Sequence, residues 1–435
     1  MYTIKKLGII ALISLLPAAG LAETLPNQLT VDQAVTWALE KNQTLLASGD
    51  TLQSAEQKVK SSRADLFAKG TLDMGYRSLY HQPLMKTAQG ESGSAPKETY
   101  SWGVSLRQPL FRGYALKSRV DLARVNVRNK TLAQEMTRLD LIRNVKAGCY
   151  NLLLAHKLQE VSQSEVDSLA AHTKNAGHMY DQQLIPKNDL LRSQVTLADS
   201  RQSLERARAD VDSARIFLNR LMDRDVDAPL FVRDIDKLPP LVGDIHSLVE
   251  SALTHRPVIH SLKNDIQEAE VSITLARSSY YPEVDLVGRY EQNSGELTSL
   301  ENDYTNPENT SLSLELAWTF FDWGKTSAEV NAAQHKKSAC VRLLKAMENQ
   351  VKQEVKDALL DLNVAHKNIK TAETTMDQAI ENFRITNAQY AQTVVTSTIV
   401  LDARADLTRA HTNYYQARYG YMVSMAILNR SMGME

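Results

Sequence analysis

The sequence predicts a mixed α and β chain, mostly helical, in which one structural unit is written twice. Three observations carry that reading. Apolar residues recur at 3/4 spacing over very long stretches, four short segments alternate apolar with polar residues, and the second half repeats the pattern of the first. The 435 residues include only 17 Gly and 12 Pro against 43% hydrophobic residues, which argues against disorder and against an ordinary all-β protein. Formal net charge is −1, so no electrostatic hold on nucleic acid or on an acidic membrane surface is expected.

At the N-terminus Lys5 and Lys6 precede an apolar stretch from Leu7 to Leu16, followed by Pro17 and "AAGLA". This pattern predicts a signal peptide over residues 1–22, because the apolar run is too short for a membrane anchor. No Cys follows the cleavage site, so no lipid attachment is expected there. No later stretch approaches the roughly 20 apolar residues of a transmembrane helix, so membrane entry by the exported chain would have to use strands. Cys149 and Cys340 form no metal or redox motif and read as small apolar residues inside helices. Counted from Gly113 and Gly324, they fall roughly 30 Å apart along the helix axis, too far for a disulfide.

The repeat organises everything between. From Tyr180 the chain reads "YDQQLIPKNDLLRSQVTLADS", and from Tyr390 "YAQTVVTSTIVLDARADLTRA". A shift of 210 residues sets Leu191 on Leu401, Leu197 on Leu407 and "LNR" (218–220) on "LNR" (428–430). Upstream, "QPLFRG" (108–113) is set against "TFFDWG" (319–324), each ending a strand and opening a long helix. The first repeat is 23–222, the second 244–435, and 223–243 is a connector in the equatorial region. Each repeat reads helix, strand, strand, long helix, turn, helix. The second long helix keeps its apolar spacing through Val341, Leu344, Met347, Val351, Val355, Ala358, Leu362 and on to Phe383. The first runs from Ala115 to about Tyr180. About 65 residues make a helix of roughly 100 Å. Flanking helices at 30–68 and 188–222, laid end to end, span a similar length and predict a uniform, elongated wall.

The strands are expected at about 70–82, 98–111, 282–292 and 309–322. The last puts Leu312, Leu314, Leu316, Trp318 and Phe320 on one face, with Ser313, Glu315, Ala317 and Thr319 on the other. Trp102, with Tyr100, Val104 and Leu106, makes a similar face in the second strand, and these faces read as lipid-facing. A soluble sandwich alternates in the same way. Against it stand the strand length of about 10 residues, the length that crosses a bilayer when tilted, and the aromatics gathered near strand ends. The only other elements are coiled-coil helices, which offer no second sheet. Four strands cannot close on themselves, and lipid does not tolerate an open edge. Two copies would give eight strands and three would give 12; periodicity does not choose.

With the twofold repeat, the "QPLFRG" junction and the "Y…LxxAxxxL" pattern after Tyr390, the chain resembles the TolC-like family of outer-membrane efflux and secretion channels over essentially its whole mature length. The resemblance implies a trimer: a 12-stranded transmembrane β-barrel, four strands per chain, continuous with a long periplasmic α-helical barrel. It implies a passive exit duct of a tripartite efflux or type I secretion system in the outer membrane of a Gram-negative bacterium. The partners it implies are outer-membrane lipid, a periplasmic adaptor (membrane fusion) protein and an inner-membrane pump of the RND or ABC type. In the family the inward-coiled tips, here 180–192 and 390–404, close the entrance. Asp189 and Tyr390 fall on gate positions of its best-known branch, while Val395 stands where that branch has Arg. Asp402 matches one of two acidic residues lining the aperture, and Ile399 stands at the other. Leu184, Ile185, Pro186, Val394 and Val395 would form the adaptor-docking tips.

Each of these residues also has a structural role open to it. Asp189 can complement a helix start, Tyr390 can continue a seam, Asp402 can pair with Arg192, and the tip apolar residues can pack their own turn. No catalytic residue is expected. The ten His are scattered on helices with no HExxH, no Gly-rich phosphate loop follows a strand, and neither cofactor nor metal is implied. The rival from another class is a surface-anchored coiled-coil stalk or adhesin, although strands inserted twice in mid-chain suit a duct better.

Overall fold

The computed structural model describes residues 28–88, 90–235, 237–241, 243–297 and 306–435, so the predicted signal peptide lies outside the described residues. The chain opens with α1 (Val31–Lys41), started by a capping box between Thr30 and Gln33. The expected single helix over 30–68 breaks at Asn42, whose extended backbone ends α1. The Asn42 side chain caps α2 (Gln43–Ala64) by accepting from Leu45 N at 3.1 Å. Its Nδ2 also donates to Leu221 O at 2.9 Å, which anchors the break to the neighbouring helix. The second repeat breaks at the matching place. There Arg256 is extended between α5 (Ile245–His255) and α6 (Pro257–Arg277), with Pro257 opening α6, where its missing N–H costs nothing.

Between these pairs lie the strands β1 (Lys69–Ser78), β2 (Leu84–Thr87), β3 (Gly90–Gly93) and β4 (Glu98–Arg112), and later β5 (Glu283–Ser294) and β6 (Glu308–Ala317). The long helices are α3 (Ala115–Asp181) and α7 (Lys325–Ala391), each 67 residues or about 100 Å. Helices α4 (Lys187–Leu221) and α8 (Ser397–Met432) return from the tips. In the half nearer the sheet the wall runs α2, α3, α6, α7 side by side; in the half nearer the tips it runs α4, α3, α8, α7.

The 210-residue offset holds without slip from Ala115 and Lys325 to the tips. This corrects the expected alignment of "QPLFRG" with "TFFDWG" by one residue. Gly113 and Tyr114 are both left-handed, with φ of 55° and 70°, and Trp323 and Gly324 repeat them at 55° and 82°. Gly113 therefore corresponds to Trp323, and Tyr114 to Gly324. What the junction needs is two successive left-handed residues, and each repeat places its glycine at a different one of them.

Two apolar cores lie at mid-height. Leu141, Val145, Cys149 and Leu152 of α3 pack with Val211 and Leu218 of α4 and with Ala34 and Ala38 of α1. Val351, Val355 and Leu362 of α7 pack with Ala252, Ile259, Tyr419, Tyr421 and Leu428. Full burial of each such Leu is worth about 2–3 kcal/mol. The connector straps this level: Leu29 pairs in parallel with Val232, Tyr419 donates to Asp234 at 3.0 Å, and Tyr421 to Pro239 O at 2.8 Å.

Candidate functional site

The four-stranded antiparallel sheet has the order β1-β4-β5-β6, so the two repeats join edge to edge through β4 and β5. Register decides which side chains share a face, because directly paired residues project the same way. Leu72 pairs with Val104, Met74 with Trp102, and Tyr76 with Tyr100; Val104 pairs with Tyr290; Leu286 pairs with Leu314, and Val284 with Leu316. All of these fall on one face, with Leu312 beside Gly288. Thr71, Asp73 and Arg77 pair with Ser105, Gly103 and Thr99 on the other face, which also carries Arg289, Glu291 and Ser313. One face is apolar and outward-bare: Leu312 is 77% and Leu314 66% exposed. β6 ends at Ala317, and Trp318 and Phe320 follow it, still exposed, with Trp318 Nε1 donating to Tyr280 O at 3.1 Å.

The polar face gathers charge where the sheet meets the helices. Arg107 bridges Asp285 at 2.9 Å and Glu315 at 3.0 Å, tying β4 to β5 and β6. Arg112 reaches Asp285 at 2.8 Å and Glu283 at 3.3 Å. Pro109 sits at a bulge in β4, where the register skips Leu110, so its missing N–H breaks no regular ladder.

The opposite end of the wall is formed by two turns of one design. After α3, Gln183 is left-handed and Leu184 N donates to Met179 O at 2.8 Å; after α7, Thr393 is left-handed and Val394 N donates to Gln389 O at 3.0 Å. These bonds close the carbonyls that the helix ends leave unpaired. Leu184, Pro186 and Val394 are exposed at the tips, and Ile185 and Val395 are half-buried. Asp189 is in the first turn of α4, which has no side-chain cap of its own, so its carboxylate complements the helix N-terminus. Asp402 is exposed on α8.

Tyr390 is buried at 4% exposure, and its hydroxyl has no hydrogen-bond partner among the described residues. Burial raises its pKa, the Ser397 hydroxyl beside it acts the other way, and the nearby Asp189 carboxylate adds to the rise. The structure thus brings Tyr390 and Asp189 to one level without a bond between them. Beside them lie residues that sequence reasoning passed over. The Tyr390 ring packs on His172 with centroids 4.7 Å apart. His172 Nε2 is 2.7 Å from Ser397 Oγ, and Ser397 Oγ is 3.0 Å from Ser193 Oγ. His172 is buried rather than solvated. The signal was present: Leu169, His172 and Ala176 keep the 3/4 seam spacing, as do Ser193, Leu197, Ser200 and Leu204.

One heptad further from the tips the layer repeats with different residues. Arg404 is buried, stacks over Phe383 at 5.5 Å and donates to Ser164 at 3.3 Å. Burial lowers the Arg404 pKa and raises that of Glu165, each opposed by the other's charge. Among the described residues no group of His, Cys, Asp and Glu could hold a metal ion, and no helix is long and apolar enough to cross a membrane.

The family profile described as "outer membrane efflux protein" matches residues 35–223 and again 248–434. The chain is 23% identical to the toluene efflux pump outer membrane protein TtgI of Pseudomonas putida, over 91% of this chain and 83% of that one. It is 21% identical to the outer membrane protein TolC of Vibrio cholerae, over 91% and 89%. Among solved structures, the outer membrane channel CmeC of Campylobacter jejuni superposes with a TM-score of 0.81 at 15% identity, over 93% of this chain and 85% of that one. The MtrE outer membrane channel of Neisseria gonorrhoeae, in its open state, gives 0.74 at 18%, over 93% and 89%.

Proposed function

The chain belongs to the outer membrane efflux protein family, and from that premise we propose how its two ends work. It is a passive outer-membrane channel extending into the periplasm, the exit duct of a tripartite efflux assembly, and not an enzyme. Three protomers contribute four strands each to a 12-stranded barrel continuous with the helical tunnel. The observation that carries the assignment at this chain's own residues is the sorting of the sheet. Its apolar face meets lipid, and its polar face, with Arg107, Arg112, Asp285 and Glu315, lines a water-filled lumen. A coiled-coil stalk has no use for such a two-faced sheet.

The finer parts of the reading concern the tips. Asp189 and Tyr390 hold the entrance closed between hairpins α3/α4 and α7/α8, and Tyr390 carries a buried hydroxyl ready to take the Asp189 carboxylate. Asp402, repeated threefold on an exposed helix face, biases the constriction towards cations. The apolar turns at Leu184, Ile185, Pro186, Val394 and Val395, exposed at Leu184, Pro186 and Val394, dock a periplasmic adaptor, which links the duct to an inner-membrane pump. Relatives that match 91% of the chain are named for toluene and solvent efflux, which favours small organic compounds as cargo. Planar-bilayer recording of the purified trimer tests the assignment. Ion conduction is expected, larger once the tips are disrupted; no conductance in either state would refute it, and a monomer mass in detergent would refute the barrel.

A further inference from the structure

The tip bundle contains a run of buried polar side chains beside the Tyr390–Asp189 pair, with His172 packed on the Tyr390 ring and Ser397 next to its hydroxyl. His172 of α3, Ser193 of α4 and Ser397 of α8 are 7%, 0% and 0% exposed. Their contacts form a single directional chain. Ser193 Oγ donates to Asp189 O at 3.0 Å, so it accepts from Ser397 Oγ at 3.0 Å, and Ser397 accepts from His172 Nε2 at 2.7 Å. With Ser193 donating to the carbonyl, that order makes Nε2 the ring's donor. It also crosses from one hairpin to the other and back, from α3 through α8 to α4. Buried polar groups far apart in sequence are costly unless paired, and here they pair only when the two hairpins lie together.

We infer that the His172–Ser397–Ser193 chain latches the two hairpins of each protomer at the closed tip, and that proton uptake by His172 releases the latch. The inference rests on reading the tips as the gate. A second proton would go to Nδ1, which makes no hydrogen bond among the described residues. The groups facing the ring are few. Tyr390 of α7 packs on it, Asp189 of α4 offers its backbone carbonyl to Ser193, and Glu165 of α3 and Arg404 of α8 lie one heptad away. Glu165 and Arg404 already act on each other, so the imidazolium would be a buried cation with no committed counter-ion.

Burial lowers the proton affinity of His172 in the closed tip. Opening exposes the ring to water and restores a pKa near 6.5, so the open state binds more protons as pH falls. The closed state therefore loses ground below about pH 6.5, by up to about tenfold per pH unit per protomer, until the buried ring itself titrates. Should Asp189 swing onto the imidazolium, acid would tighten the tip instead, so the sign of the response is decisive.

The test is conductance of the full trimer in planar bilayers as the tip side is acidified from about pH 7.5 to about pH 5. Wild type should rise at least about threefold, and His172→Gln, which keeps an amide donor but cannot titrate, should stay flat. Ser397→Ala should raise conductance already at neutral pH. SDS-resistant trimer confirms assembly of each variant, and His172→Asn replaces His172→Gln if that variant does not assemble. A wild-type response that is absent or inverted overturns the latch, as does a full acid response in His172→Gln. The double variant Tyr390→Phe with Asp189→Ala separates the two readings. If it opens the channel at neutral pH while His172→Gln keeps the acid rise, the gate stands and the latch fails. If neither it nor any His172 or Ser397 variant alters conductance, both fail.

Discussion

Replacing the two junction glycines by alanine separates backbone strain from crowding. Gly324 has φ +82° and open space where a Cβ would project, so Gly324→Ala carries only the left-handed penalty of about 1 kcal/mol. Gly113 has φ +55°, and a Cβ there would lie 2.4 Å from Ser278 O, 2.9 Å from Tyr281 Cβ and 3.0 Å from Ser278 Cα. Two of those atoms are backbone of the link between α6 and β5, so no rotamer change relieves the clash. Overpacking adds about 1–3 kcal/mol, giving roughly 2–4 kcal/mol for Gly113→Ala. The assay is the thermal midpoint of helical circular dichroism on detergent-solubilised trimers, with SDS-resistant trimer yield as a second reading. Gly113→Ala should fall well below Gly324→Ala in both. Equal losses, or a larger loss at Gly324, would refute the claim that the junction packs tightly only in the first repeat.

Leu314→Arg, on the apolar face, should cost about 2–4 kcal/mol and sharply cut the yield of folded barrel, while the neighbouring Ser313→Arg on the polar face should assemble nearly normally. Tyr390→Phe combined with Asp189→Ala should increase single-channel conductance; no change would leave Asp189 only its helix-start role. Asp402→Asn should lower cation over anion preference in a salt gradient, and unaltered selectivity would place the aperture ring elsewhere. For the thiols, burial pushes the Cys149 pKa up to about 12, and both cysteines are free. A thiol reagent at mildly alkaline pH should therefore label Cys340 alone in native protein and both after denaturation, with the mass of a fully reduced chain.

The long helices, their shared offset and the sorting of the strand faces were legible because each is a periodic signal that accumulates over many residues. The details that escaped are those set by one residue's conformation. Aligning Gly113 with Gly324 was natural by residue type, yet the backbone repeats its left-handed pair one step away, and Tyr114 and Trp323 occupy such positions without being glycine. The break at Asn42 carries no Pro, and only the capping geometry reveals it. The β2–β3 hairpin is four residues a side, too short to alternate visibly. The His172 cluster escaped for another reason: its members lie on three helices, and His172 and Ser397 are 225 residues apart in the chain. Each sits on a seam where a polar residue looks like noise in an apolar pattern. Only the fold shows that the interruptions coincide.

Each long helix is also a lever. With 67 residues and no interruption, it is rooted at one end by the left-handed pair below the barrel, packed on an apolar core at mid-height, and ends at the tip turn. A tilt of about 5° at that fulcrum carries the far end through roughly 9 Å over a length of about 100 Å. On the proposed reading of the tips as the gate, three protomers leaning outward together would widen the bore by many ångströms while the barrel stays embedded. The same mechanical advantage runs in reverse. A few contacts at the tips, acting on so long an arm, would balance much larger stresses at the root, so on the proposed gating modest bonds would suffice to keep the duct shut.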